Sequence, residues 1–415
     1  MTSSPDGAFP EPPAARAGRR FLWLDGFFSN TSEAFVTSFV TPFAIVLGAS
    51  NLQVGILSSL TNLSSALGVI PGARLEERFF SRKRIVALTS GGAARLLLFL
   101  IAVMPLLLPR EYATLAFITM IALRAFLGQL GYPAWSSLLA DLVPKPIRGR
   151  YFAGRNIGLG LATLIFTPVA GWLIQRIGGH EGYQVGFLVA GLVGIVSTYF
   201  FMRIPEPNRS EPAKYFESVS VREIFRTHPR FAAFTTVTFL WNLAVMSVAP
   251  FLTVHFVRNL HATPTMIGIL SAAASAMNVV GQRFWGRYGD RYSSVSVMRL
   301  TGLMIPLVPI MWSLAPNAWW VVPVESFSGF MWAGYQLASF NLMLSLAPTE
   351  QRARYYAIFQ TVAFAAAFVG PLVGSLLASF WSLPTVMRVT SIGRLVAAIL
   401  FVYTVRGDTE ETQPS

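Results

Sequence analysis

The chain has 415 residues, of which 53% are hydrophobic and 12% charged, with a net charge of +13. Soluble domains carry roughly 25% charged residues, so this composition excludes an ordinary soluble globule and points to a membrane. There is no cysteine, which excludes disulfides, thiolate chemistry and cysteine metal sites.

Residues 1–20, "MTSSPDGAFPEPPAARAGRR", read as a disordered tail, and no short apolar core with a cleavage site follows it, which argues against a signal peptide. A bilayer core takes about 20 apolar residues per helix. Such runs follow at 21–47, 52–72, 85–108, 113–140, 151–175 and 184–203. The stretch from 204 to 230 is long, polar and basic and reads as a linker. Six more runs follow at 231–256, 263–284, 297–315, 318–346, 354–378 and 386–404. The expected organisation is therefore an all-α membrane protein with twelve transmembrane helices. A six-helix half at 21–203 and another at 231–405 are flanked by tails at 1–20 and 406–415.

The basic charge alternates from side to side. Loops after the even-numbered spans hold Arg74, Arg78, Arg82, Lys145, Arg148, Arg287, Arg291 and Arg352 among others, and the opposite side holds only Arg110, Arg176 and Arg258, roughly 22 cations against 3. This asymmetry predicts both termini on the cytoplasmic side of the cell membrane. The basic charge encodes topology, and a nucleic-acid partner is not expected.

The two halves repeat. "VPKPIRGRYFA" at 143–153 returns as "APTEQRARYYA" at 347–357, "TPVAGWL" as "GPLVGSL", and "VGILSSL" at 54–60 as "IGILSAA" at 267–273. Pro168 thereby aligns with Pro371 and Gly55 with Gly268. Two even-numbered halves repeat in parallel topology, a known transporter architecture with its site near the midplane.

The most specific fragment is "GRYGDRYS", Gly286 to Ser293, which resembles the G-x-x-x-D-R loop signature of the major facilitator superfamily. Its first-half copy, "GARLEERFFSRKR", keeps Gly72, places Glu76 or Glu77 at the acid and displaces the arginine to Arg78. "LRAFLG" at 123–128 is similar to the family's R-x-x-x-G signature in the fourth helix, often associated with proton coupling. The resemblance covers nearly the whole chain. It implies a secondary transporter working by alternating access, with helices one, four, seven and ten lining the cavity. Asp290 and Arg291, with Asp141, Arg148 and Arg352, are expected to form cytoplasmic contacts that favour the outward-open state; Gly72, Glu76, Arg78 and Gly286 complete that gate.

Ionisable groups at membrane depth are functional candidates because each is costly to insert. Three acids qualify: Asp25, Glu33 and Glu325. Glu33 is deepest and shares a face with Gly26, Asn30 and Thr37. Asp25, near the helix end, is expected to snorkel or cap amides. Arg124, Tyr132 and Trp135 mark the fourth span; Trp241 and Asn242 the seventh; Glu325, Trp332 and Gln336 the tenth. Arg95 and Arg394 are expected to reach inward toward Glu33 and a second-half partner.

No metal, cofactor or catalytic residue is expected. "HE" at 180 lacks the second histidine of a zinc helix, no Walker lysine motif is present, and no channel filter appears. The expected protein is a monomeric, multi-pass secondary transporter in the lipid bilayer that moves a small organic solute, coupled to protons and exporting. The alternatives are a transporter-like receptor or sensor and an uptake permease for a sugar or metabolite.

Overall fold

Prolines and polar caps punctuate several of the apolar runs and mark where the helices at Asn51, Arg82, Pro229, Pro264 and Leu383 begin. The computed structural model describes residues 13–79, 81–143, 148–206, 221–348 and 352–405. The first span is α1 (Pro13–Ala34) with α2 (Val40–Val46); α3 (Asn51–Arg78) is the second. The third joins α4 (Arg82–Leu88) to α5 (Ala94–Leu107) through a π turn at Thr89–Ala93. Then come α6 (Arg110–Leu142), α7 (Arg148–Ile177) and α8 (Gly179–Met202), and a short linker helix α9 (Val221–Thr227). The second half holds α10 (Pro229–Arg258), α11 (Pro264–Tyr292), α12 (Ser294–Met304) with α13 (Leu307–Ser313), α14 (Val321–Leu346), α15 (Arg352–Phe380) and α16 (Leu383–Thr404).

The twelve spans are thus present, with local differences. Helix α1 starts at Pro13, so residues 13–20, expected to be a disordered tail, are helical; residues 1–12, 207–220 of the linker and 406–415 lie outside the described residues. The first span is interrupted at 35–39. Pro42 offers no N–H to the Ser38 carbonyl, and the chain there tightens into turns in which both Val36 and Thr37 donate to the Glu33 carbonyl. Among the described residues ten helices are long and apolar enough to cross a membrane. The first span and α14 fall outside those ten, and they are the segments that carry Glu33 and Glu325.

The repeat has a physical counterpart at the caps. Ser50 and Gln53 form a reciprocal capping box on α3, and Thr263, 213 positions later by the sequence alignment of Gly55 with Gly268, caps α11 ahead of Pro264. Within each half the pattern of neighbours repeats: α3 packs on α6 as α11 packs on α14, and α1 packs on α7 and α8 as α10 packs on α15 and α16. Between the halves α3 meets α15 and α7 meets α11. Exchanging the halves exchanges these two contacts, as a two-fold axis requires.

Every hydrogen bond between the halves among the described residues lies toward one end or at mid-depth. Arg258 Nη1 donates to Asn51 Oδ1 at 2.9 Å and its Nη2 to the Ala49 carbonyl. Gln175 accepts from the Thr265 amide, Ser38 and Ser271 hydroxyls pair at 3.0 Å, and Asn62 donates to the Ala367 carbonyl. The hydrophobic core tells the same story. One cluster, with Phe43, Phe117 and Phe187 from the first half and Val248, Phe251 and Phe256 from the second, is shared between halves. A separate first-half cluster around Leu22 and Leu138 and a second-half cluster around Trp241 and Trp285 do not cross over. The molecule is closed at the α2–α3 end and parts toward the end that bears the basic loops, where a cavity of about 930 Å³ separates α7 from α11.

Candidate functional site

Glu33 occupies the last turn of α1, immediately before the interruption that Pro42 imposes. Two arginines from other helices converge on it. Arg124 Nη2 on α6 donates to Glu33 Oε1, and Arg95 Nη1 on α5 lies 3.4 Å from the same oxygen. Arg95 is fixed further by Ser32 Oγ and Ser29 Oγ, each at 2.9 Å. Gly194 on α8 makes room: a Cβ there would stand 2.5 Å from Arg95 Cδ and 2.7 Å from its Nε. The π turn just before α5 exposes the Gly91 carbonyl, which accepts from Thr198 Oγ1 at 2.9 Å and ties the third span to α8. The Glu33 side chain remains 36% exposed, whereas those of Arg95 and Arg124 are 9% and 17% exposed. The cations are therefore fixed in protein while the carboxylate they share keeps partial exposure.

Asn30 donates to the Leu159 carbonyl and Thr163 Oγ1, both at 2.6 Å, and pins α1 to α7. Asp25, expected to snorkel or cap amides, is instead 7% exposed and accepts from Ser197 Oγ at 2.7 Å. Helix α8 covers it, which the apolar pattern of α1 alone could not reveal. Asp25 and Arg95 line a cavity of about 230 Å³ inside the first half, together with Tyr132 and Trp135. Those two rings stack at 5.7 Å, and Arg155 lies over Trp135 at 5.4 Å.

The second half differs. Trp241, expected in the cavity, is 2% exposed and stacks on Tyr335 at 4.8 Å, with Trp332 edge-on at 6.2 Å. This aromatic group builds the second-half core because large rings on α10 and α14 fill the space where these helices meet. Asn242 donates to the Thr238 carbonyl of its own helix, and Gln336 is exposed. Thr37 and Glu325 line one cavity between the halves. Arg394 is buried but directs Nη2 to the Val245 carbonyl at 3.4 Å, so its relation to Glu325 is not the one Arg95 has to Glu33.

At the basic end the arginine that pairs with the acid of the first-half signature is Arg82. Arg82 Nε donates to Glu76 Oε1 at 2.8 Å and its Nη1 pairs with Asp141, which joins α3, α4 and α6. Arg78 is exposed. Sequence spacing missed Arg82 because the helix ends and restarts between the two arginines. It also missed Glu206, whose carboxylate accepts from the Arg82 amide at 2.6 Å and Ser81 Oγ at 2.7 Å at the start of α4, the favourable end for an anion. Gly72 admits the Leu130 backbone against α3. Its repeat partner Gly286 meets nothing closer than Leu337 Cδ2 at 3.9 Å, whereas Gly281 lies against the Phe330 carbonyl as Gly68 does against that of Phe126. Asp290 and Arg291 are exposed, and Arg291 lies over the Tyr292 ring at 5.4 Å. The side chains of Arg148 and Arg352 lie outside the described residues.

Two repeated six-helix halves around a cleft closed at one end are the architecture of a multi-pass membrane transporter, and the family to which the chain belongs is one of transporters rather than enzymes. The family model of the Major Facilitator Superfamily matches residues 22–257 and 236–415, and the chain belongs to that family. A multi-drug resistance efflux pump PmrA homolog of Lactococcus lactis subsp. lactis (strain IL1403) is 25% identical over 406 residues, covering 91% of this chain and 92% of that protein. A Na(+), Li(+), K(+)/H(+) antiporter of Planococcus maritimus is 25% identical over 171 residues, 40% of each chain. The crystal structure of the nucleoside transporter NupG superposes with a TM-score of 0.73 at 13% identity, over 94% of this chain and 100% of that one, a likeness of fold.

Proposed function

We propose that the protein is a proton-coupled secondary transporter that exports a small organic solute by alternating access from the cytoplasmic membrane, with its basic loops and both termini in the cytoplasm. The observation that carries this reading is the partly exposed Glu33 carboxylate, held by Arg95 and Arg124 from two other spans. A proton on Glu33 removes the anion that both guanidiniums share. The cluster then holds two cations with only the more distant Asp25 carboxylate near Arg95, a costly state at membrane depth that a rearrangement of α1 against α5 and α6 relieves. Because Glu33 stands next to the turn at 35–39, the rearrangement has a place to bend. Similarity to an efflux pump over nearly the full length supports the outward direction.

The structure as described is open toward the basic end, the state that would load solute from the cytoplasm. Opening of the other end then requires loss of the Arg258 and Ser38 contacts between halves and closure of the basic end around Asp290 and Arg291. The test is reconstitution in proteoliposomes with ethidium as probe and an imposed pH gradient. The expected result is gradient-driven movement in the native protein, abolished by Glu33→Gln with counterflow exchange retained. Gradient dependence that survives Glu33→Gln unchanged overturns the coupling assignment.

A further inference from the structure

Helix α11 carries a pattern that neither the cleft nor the Glu33 cluster uses. Arg283, Arg287 and Arg291 follow one another at every fourth position, and Phe284, Tyr288 and Tyr292 do the same one residue on. On a helix that spacing sets a stripe of cations beside a stripe of rings. Together with Val279 and Val280 they line one open groove along α11. The rings run down the helix, Phe284 to Tyr288 at 6.3 Å and Tyr288 to Tyr292 at 4.6 Å. The other faces of α11 are taken. Gly281 and Trp285 turn toward α14, where the Trp285 indole donates to the Phe330 carbonyl at 2.9 Å, and Asn278 and Gln282 border the cavity toward α7. All three arginines are exposed. Among the described residues no carboxylate oxygen lies within 4.0 Å of their nitrogens, and Asp290, the one acid on α11, makes no such pair.

Depth separates this stripe from an ordinary basic loop. Helix α11 has 29 residues and is therefore about 43 Å long, the thickness of a bilayer with its headgroup layers, about 40–45 Å. Counted from Tyr292, Arg291 stands about 1.5 Å in, Arg287 about 7.5 Å and Arg283 about 13.5 Å. A headgroup layer is only about 5–8 Å deep, so Arg283 stands below it. A cation at that depth is costly unless its side chain reaches an anion above it. The repeat supplies the contrast. At the 213-residue offset that aligns Gly55 with Gly268, Arg287 and Arg291 correspond to Arg74 and Arg78, but Arg283 corresponds to Ile70. Ile70 is 62% exposed, an apolar side chain on the outer surface as lipid contact requires. The position looks toward lipid, and only the second half places a cation there.

We propose that this face of α11 binds one anionic phospholipid. Its phosphodiester sits on Arg287 and Arg291, whose planar guanidiniums match phosphate oxygens, and Arg283 reaches the same headgroup from below. Val279, Val280 and Phe284 receive acyl chain, while Tyr288 and Tyr292 stand at the interface where tyrosines gather. A zwitterionic lipid offsets its own phosphate and leaves three cations against one acid unbalanced. Phosphate free in solution gains nothing from Val279 and Val280, so the lipid is the source. The site lies on the outer surface and does not depend on which solute the cleft carries.

The test is native mass spectrometry of the purified full chain in detergent, with dioleoyl phosphatidylglycerol as probe and dioleoyl phosphatidylcholine as its chain-matched zwitterion. Phosphatidylglycerol is expected to bind more tightly. Glutamine at all three arginines is expected to weaken it by about tenfold or more, because each cation near an anionic headgroup contributes. Lysine at all three is expected to weaken it less. Arg283→Ile installs the residue that the first half carries and is expected to weaken binding by itself, in a chain whose thermal unfolding is unchanged. Arg74→Gln with Arg78→Gln is expected to leave the affinity as it was. Equal binding of phosphatidylcholine overturns the proposal, as does unchanged affinity in both the triple glutamine variant and Arg283→Ile. So does a loss in the Arg74 and Arg78 control as large as in the triple variant, or displacement of the lipid by equimolar glycerophosphoglycerol, its deacylated headgroup.

Discussion

Gly268 allows the sharpest test of which end is closed and why. A Cβ on this residue would lie 2.7 Å from the Thr167 carbonyl and 2.8 Å from Pro168 Cα, both backbone atoms of the other half. Neither can swing aside, so Gly268→Ala must part α7 from α11. Going from 2.7 Å to the ordinary 3.4 Å contact means a separation of about 0.7 Å along the seam. Overpacking of this kind costs about 1–3 kcal/mol, and the cost falls only on the state in which this end is shut. It should therefore raise the ratio of the state open at this end by about 5- to 150-fold. Because the chain has no native cysteine, Thr253→Cys in the Glu325 cavity gives a single reporter. An impermeant maleimide applied from the face of the α2–α3 turn should label it faster in Gly268→Ala. Gly55→Ala, whose Cβ would meet Ser375 Cβ at 2.6 Å and the Pro371 carbonyl at 2.8 Å, should act in the same direction. Gly160→Ala, with nothing within 4 Å, should leave labelling unchanged. Equal labelling in all three variants would refute the idea that these glycine contacts hold the end closed.

Gly194→Val should displace Arg95 from Ser29, Ser32 and Glu33 and reduce gradient-driven transport to the level of Arg95→Gln in the same proteoliposomes; wild-type rates in Gly194→Val would show that Arg95 is not needed where it stands. Arg82→Gln should release Glu76 and Asp141 and lower stability by about 1 kcal/mol or somewhat more, since Arg82 is mostly covered but Asp141 is half exposed. Thermal unfolding in detergent measures this, with Arg78→Gln expected to be silent.

The spans and the two-half organisation are legible because apolar runs of bilayer length, alternating charge and a repeated phrase are local in sequence. The repeat is more informative than its use as a topological marker suggests: Gly55 meets Pro371, and Gly268 meets Pro168, so the aligned fragments are the ones that touch across the two-fold axis. Interruptions are not legible. The turn at 35–39 depends on a proline several residues downstream, and the π turn at Thr89–Ala93 has no periodic signature. Of the candidate site, Glu33 and Arg124 can be read because charge at membrane depth is costly, and Arg95 reaches Glu33 as its depth in the third span suggests. Trp241 departs from expectation because an aromatic residue on a cavity-lining helix can equally face the core, and only the ring of Tyr335 decides which. Asp25 departs for the same reason, its environment being supplied by Ser197 far along the chain.

The clasp formed by Glu206 bears on biogenesis. Ser81 caps the Arg84 amide at the start of α4 locally, but the Arg82 amide takes its acceptor from Glu206 beyond the sixth span, and Lys83 Nζ takes the Ile204 carbonyl at 2.8 Å. As the ribosome delivers the chain in order, the third span has only its Ser81 cap at this end through the insertion of three further spans. The Glu206 contacts of the first half can form only when its last residues emerge, immediately ahead of the linker.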